Sequence, residues 1–202
     1  MTASVATDPA RLLHQARAYG LCGRLLTRQG GSRPRQVAGL LARELSSLGC
    51  PQAQGALQAF VASLPRRARR YVSWLATNAV PAYEASYHVG AQAAGGLELT
   101  LADVAGFYRA FGFQTRGERP DYLGAQLEFL ALLTLKEAHA VLSGSQEGAG
   151  LCRRTRAEFA RRHVLPWLPA LRERAAAARI PAFTALADLV QALVLADLGT
   201  EQ

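Results

Sequence analysis

Between Leu123 and Leu142 the chain carries Leu123, Leu127, Phe129, Leu130, Leu132, Leu133, Leu135, Val141 and Leu142 on a background of alanine. Pro120 just upstream and the length of the run predict a helix of about five to six turns. These side chains are too many for one stripe, so the helix must be buried on most sides. Such a helix needs other helices around it. Two acids interrupt the pattern. Asp121 and Glu128 stand seven residues apart, two turns along one face, with Gly124 and Ala125 between them. Two carboxylates flanking two minimal side chains predict a shallow acidic notch on a hydrophobic rod.

The surrounding sequence supplies the other helices. Alanine, leucine and arginine dominate the 202 residues and β-branched residues are scarce, which favours helix nearly everywhere. Half the residues are apolar, ample for the core of one domain or two closely packed halves. Helices read from Asp8 to Arg28 with Pro9 at the first position, from Pro34 to Leu48 with Gly49 closing it, from Pro51 to Leu64, and from Arg66 to Asn78. An aromatic-rich connector, Pro81 to His88, and a glycine-containing loop, Gly90 to Gly96, precede a fifth helix capped at Thr100 with Asp103 three residues on. After the central helix, Ser143 to Gly150 reads as a linker or hinge, and Leu151 to about Val164 begins the last helices, which end near Leu198. The expected fold is all-α. It is one helical-bundle domain of about eight or nine helices over residues 1–202, with an N-terminal segment spanning residues 1–142 joined through a hinge at 143–150 to the C-terminal helices of 151–202.

Several functions are excluded or left without support. No run of 18 or more apolar residues is present and Met1 to Arg11 lacks the apolar core of a secretory signal, so no membrane insertion and a cytoplasmic location are expected. Cys22, Cys50 and Cys152 are odd in number, with no CxxC pair, and read as buried hydrophobes. His14, His88, His139 and His163 form no HxxxH or HExxH set, and no GxxxxGK[ST] or strand-borne GxGxxG is written. Asp121 and Glu128, roughly 10 Å apart along one helix, are too far apart for a retaining hydrolase pair. An enzyme is not expected, and neither metal nor cofactor.

The net charge of +8, nearly all of it from arginine, permits an acidic partner. Arg66, Arg67, Arg69 and Arg70 share one turn, and Arg153, Arg154, Arg156, Arg161 and Arg162 share another helix. A basic all-helical nucleic-acid-binding protein is the alternative reading, although no short recognition helix after a tight turn accompanies the arginines. Glu128 points elsewhere. A glutamate among Leu127, Phe129 and Leu130, exposed at the rim of an apolar groove, would attract a segment carrying arginines beside a hydrophobic run.

Three pieces of the chain carry a family resemblance. Tyr108-Arg109-Ala110-Phe111-Gly112, Glu118-Arg119-Pro120-Asp121-Tyr122-Leu123 and Leu127-Glu128-Phe129-Leu130 together resemble the signature of the TorD/DmsD/NarJ-like redox-enzyme maturation chaperones. Tyr83-Glu84-x-x-Tyr87 upstream and His163-x-x-Pro166-Trp167 downstream are similar to further family features. The resemblance covers about Tyr83 to Pro169, and the helical layout of the rest agrees with it. Many relatives carry histidine after the aspartate, where this chain has Tyr122, which keeps an aromatic body and a hydrogen-bonding tip but cannot become a cation near neutral pH.

The resemblance implies a system-specific cytoplasmic chaperone. Its partners would be the molybdenum-cofactor-containing catalytic subunit of a DMSO reductase-family enzyme and that subunit's twin-arginine signal peptide, with no nucleic acid. It would hold the apo-subunit until the cofactor is inserted and then release it for export; the hinge at 143–150 permits either a monomer or a dimer exchanging its last helices. The peptide site implied is Tyr83, Glu84, Tyr87, Tyr108, Phe111, Glu118, Pro120, Asp121, Tyr122, Glu128, His163 and Trp167. Asp121 and Glu128 would meet the peptide's arginines, and screening beyond roughly 8 Å would let these local acids prevail over the positive whole.

Overall fold

A computed structural model describes residues 8–27, 33–76, 80–87, 96–115 and 117–199. Proline opens α1 (Pro9–Leu25), α2 (Pro34–Leu48) and α3 (Pro51–Ser63), where its fixed φ suits the first turn and its missing N–H has no helical role. The Asp8 carboxylate caps α1 by accepting from the Ala10 N–H at 2.9 Å, and Gly49 ends α2 at a φ of 65°. Then come α4 (Ala68–Ala76), a 3-10 turn at Glu84–Ser86, and α5 (Gly96–Ala110). The central helix is α6 (Leu123–Leu142), followed by α7 (Gln146–Phe159), α8 (Leu168–Ala177) and α9 (Pro181–Gly199). The only strand-like pairing among the described residues is an isolated bridge between Tyr83 and Tyr122. The all-α expectation holds.

The helix α6 lies at the centre, with α1 along one side and α7 along another, while α9 packs between α3 and α8. Leu123, Leu127, Phe129, Leu130 and Leu133 are fully buried, which at roughly 1.5–3 kcal/mol per side chain makes α6 a main source of stability. Where α1 crosses α6, glycine permits close approach: a Cβ on Gly23 would stand 3.2 Å from the Gly124 carbonyl oxygen. The expected notch is therefore filled. Gly124 and Ala125 are buried, and the space between the two acids is occupied by α1.

Boundaries differ in places. α5 begins at Gly96, so Thr100 lies inside it and donates to the Gly96 carbonyl instead of capping. Of the linker expected over 143–150, only 143–145 lie outside helix; Gly144 turns the chain at a φ of 75°, and Ser145 caps α7. Residues 160–164 widen to a π-turn and 165–167 tighten to a 3-10 turn, because Pro166 and Pro169 cannot continue an α-helical ladder. The expected end of the first helix beyond Thr27, residues 77–79, His88 of the connector, and residues 90–95 of the loop expected over Gly90 to Gly96 lie outside the described residues. Among the described residues one helix, α9, is long and apolar enough to match a membrane span by length and composition. However, 61% of that stretch is buried here, as a core helix.

Candidate functional site

Three sequence-distant pieces converge on the N-terminal end of α6. The connector 81–87 runs beside the residues that precede α6, with Glu84 N–H donating to the Asp121 carbonyl and Leu123 N–H to the Ala82 carbonyl, both at 2.9 Å. The rings of Tyr83 and Tyr122 lie 5.2 Å apart, and Tyr87 stacks on Trp167 at 5.5 Å. Tyr108 and Phe111 reach Phe129 at 4.8 and 6.1 Å, and Tyr108 donates to the Pro120 carbonyl at 2.8 Å. Burial lifts the Tyr108 phenol well above its ordinary range, so it stays a neutral donor.

The signature residues hold one another rather than facing solvent. Asp121 is fully buried. Arg119 grips its carboxylate with Nε–Oδ1 at 2.9 Å and Nη2–Oδ2 at 2.6 Å, and the Ala85 N–H adds a third donor at 3.1 Å. The Arg119 guanidinium also lies 4.6 Å over the Tyr83 ring, whose hydroxyl donates to Glu118 at 2.9 Å. Residue type and spacing alone make Asp121 an open anchor for a ligand; the structure makes it a lock between the connector and α6.

Glu84, also buried, takes Gln126 Nε2 at 2.7 Å on one oxygen and His163 Nδ1 at 3.1 Å on the other. The π-turn aims His163 inward against Phe107 and Phe159, and the Trp167 indole N–H donates to the His163 carbonyl at 2.7 Å. Asp103 of α5 stands 3.3 Å from His163 Nε2 and 2.7 Å from Arg162. Gln126, Asp103 and Arg162 thus belong to this junction although the sequence motifs do not include them. A lone glutamine within a buried-pattern helix is the signal that could have found Gln126.

Tyr122 has a structural task. Its hydroxyl donates to the Leu26 carbonyl, and Tyr71 donates to the Leu25 carbonyl at 2.7 Å. Both carbonyls lie at the end of α1, where no further helical N–H reaches them.

Glu128 stands apart from this junction. It is exposed on α6 beside Gly23, and partial burial raises its carboxyl above the ordinary value. At helical spacing beyond it on the same face come Leu132, Leu135, His139 and Leu142, with Leu135 46% and Leu142 71% exposed. Asp121 and Glu128 therefore do not share an open face, contrary to the expected pairing.

The arginine clusters also divide. Arg156 is buried and bonds Glu137 and Asp197, while Arg153 takes the other oxygen of Glu137 at 2.8 Å. Arg154, Arg161 and Arg162 remain exposed around a groove of about 620 Å³, and Arg66, Arg67 and Arg70 are exposed elsewhere. The Arg69 side chain lies outside the described residues. Among the described residues no group of three or more histidine, cysteine or acidic side chains is placed to hold a metal ion.

Comparison with known proteins adds a family. The family model described as nitrate reductase delta subunit matches residues 51–173, more than half the chain. Among curated proteins, the chain is similar to the perchlorate reductase assembly chaperone protein of Dechloromonas aromatica (strain RCB), 38% identical over 102 residues, covering 48% of this chain and 45% of the relative. It is also similar to the selenate reductase assembly chaperone protein of Thauera selenatis, 40% identical over 77 residues, covering 37% of this chain and 39% of the relative. The matched segments span less than half the length of either relative.

Proposed function

Because the chain belongs to the nitrate reductase delta subunit family, we propose that it is an assembly chaperone for the catalytic subunit of a DMSO reductase-family molybdenum oxidoreductase. It binds the apo-subunit and its twin-arginine signal peptide in the cytoplasm until the cofactor is in place. Relatives named as assembly chaperones for perchlorate and selenate reductases support the client class. The observation that carries the binding role is the open face of α6, where Glu128 sits at one end of a stripe of exposed or half-exposed leucines. An apolar stripe headed by one carboxylate suits a segment with a basic residue before a hydrophobic run. The inward-facing signature residues position that face; they do not themselves grip the ligand.

Recovery of a tagged chain from its native host, with mass spectrometry of what accompanies it, tests the role. A large molybdoenzyme subunit bearing its twin-arginine leader is the expected result. Nucleic acid or general chaperones alone would overturn it. Glu128→Ala combined with Leu135→Ser should weaken signal-peptide binding about tenfold, the effect of losing one charge-assisted contact. Unchanged affinity in that folded variant would remove the assignment to this face. The exposed arginines around the 620 Å³ groove favour a nucleic-acid reading, whose mark is a steep fall of binding with salt.

A further inference from the structure

Asp103 lines a groove of about 490 Å³ together with Glu84, Leu99, Ala102, Arg162 and His163. Glu84 and the neighbouring Asp121 are consumed internally, by Gln126 and His163 in one case and by Arg119 and the Ala85 N–H in the other. Asp103 differs: a third of its side chain is open, at 34%, and its cation is Arg162, whose side chain is 55% exposed. An ion pair between two side chains so open contributes little and exchanges readily.

The inner side of this carboxylate faces a buried imidazole. His163 is 3% exposed, and its Nε2 faces Asp103 Oδ2 at 3.3 Å without making a hydrogen bond. Arg162 Nη2 meets the same oxygen at 2.7 Å, from the groove that both residues line. Leu99, 72% exposed, lies on the same groove and offers apolar contact beside whatever cation enters.

We propose that Asp103 is a docking carboxylate for an arginine of the partner, and that Arg162 is its built-in competitor. The partner's guanidinium takes the place on Asp103 that Arg162 fills in the free protein, and an apolar residue next to it covers Leu99. The Arg162–Asp103 contact at 2.7 Å already shows that a guanidinium fits this place. The proposal rests on the reading of the chain as a binder of an arginine-bearing leader, and adds a second point of contact and a self-occupied free state.

The test is isothermal titration of the full chain with a synthetic peptide of two arginines followed by an apolar run, and with its two-glutamine counterpart. Arg162→Gln removes the competitor and should tighten the arginine peptide about threefold, the scale of an exposed ion pair. Asp103→Asn, checked for unchanged thermal unfolding, should weaken it about tenfold. The glutamine peptide should respond to neither change. A gain of affinity cannot arise from misfolding, so Arg162→Gln carries the test if Asp103→Asn proves unstable. Unchanged or weaker binding in Arg162→Gln would overturn the proposal. If that variant still recovers a reductase subunit, the groove assignment falls alone. If the natural chain neither binds the arginine peptide nor recovers such a subunit, the chaperone reading falls with it.

Discussion

Arg119 and Asp121, two residues apart, form a two-point ion pair in which the carboxylate is fully buried while the guanidinium side chain is 42% exposed. The exposed partner is therefore the one that keeps a buried charge tolerable. Arg119→Ala leaves Asp121 buried without its cation and should cost about 3–5 kcal/mol. Asp121→Ala lets Arg119 relax into water and leaves the Ala85 N–H unpaired, a cost of about 1–3 kcal/mol. Chemical denaturation of both single variants and the double variant checks this. The double should be much less unstable than the sum of the singles. Equal effects of the two single changes would mean that the pair does not work as described.

Tyr122 and Gly124 share one constraint. A Cβ on Gly124 would meet Tyr122 Cε1 at 2.9 Å, and the ring cannot swing away while its hydroxyl bonds the Leu26 carbonyl. Gly124→Ala should therefore destabilise by about 1–3 kcal/mol through overpacking. Tyr122→Phe should cost about 1–3 kcal/mol by taking the hydroxyl donor from the Leu26 carbonyl. In the pair, the freed ring makes room for the added methyl, so thermal unfolding should show less than additive loss.

The sequence made helices legible because their signals are local: Pro9, Pro34 and Pro51 at first positions, Gly49 at a left-handed end, and leucines too dense on α6 for one stripe. The family resemblance gathered Tyr83, Glu84, Tyr87, His163 and Trp167 with the residues before α6, and the structure brings them side by side. Their orientation was not legible. Whether Asp121 faces water depends on Arg119 folding back onto it and on Ala85 arriving from the connector, both of which are tertiary facts. The same holds for the arginines of α7. Residue type shows a basic helix, yet Arg153 and Arg156 turn inward because Glu137 and Asp197 wait on α6 and α9. Spacing along one helix could not show that the gap at Gly124 receives Gly23 of another.

That inward pairing is a third test. Arg156 bonds Glu137 and, through Nε at 2.9 Å, Asp197, to which Tyr19 donates at 2.8 Å, so one buried cluster ties α1, α6, α7 and α9. Its two carboxylates raise the Arg156 guanidinium against the lowering effect of burial, which keeps it charged at any working pH. Arg156→Leu removes the buried cation that Asp197 and Glu137 share, with Arg153 still on Glu137, and should cost about 3–5 kcal/mol. Asp197→Asn keeps the shape and removes one charge. It should cost less, and urea midpoints of the two variants would give the order.

Glu128 allows stability and binding to be separated by pH. Burial raises its carboxyl above the ordinary value of 4.5, so between that value and the raised one the folded chain holds more protons than the unfolded chain. This residue's contribution to stability therefore falls as pH rises through that window and stays lower above it. Glu128→Gln should unfold at a higher temperature than the natural chain at pH 7, and the difference should vanish below pH 4.5, where both forms of the glutamate chain are protonated. Binding runs the other way. A basic leader needs the ionised carboxylate, so its affinity should rise with pH across the same window and lose that dependence in Glu128→Gln. Thermal unfolding and peptide titration over one pH series read both trends. Parallel trends, or a glutamine variant whose peptide affinity still follows pH, would place the leader's basic residue on another acid.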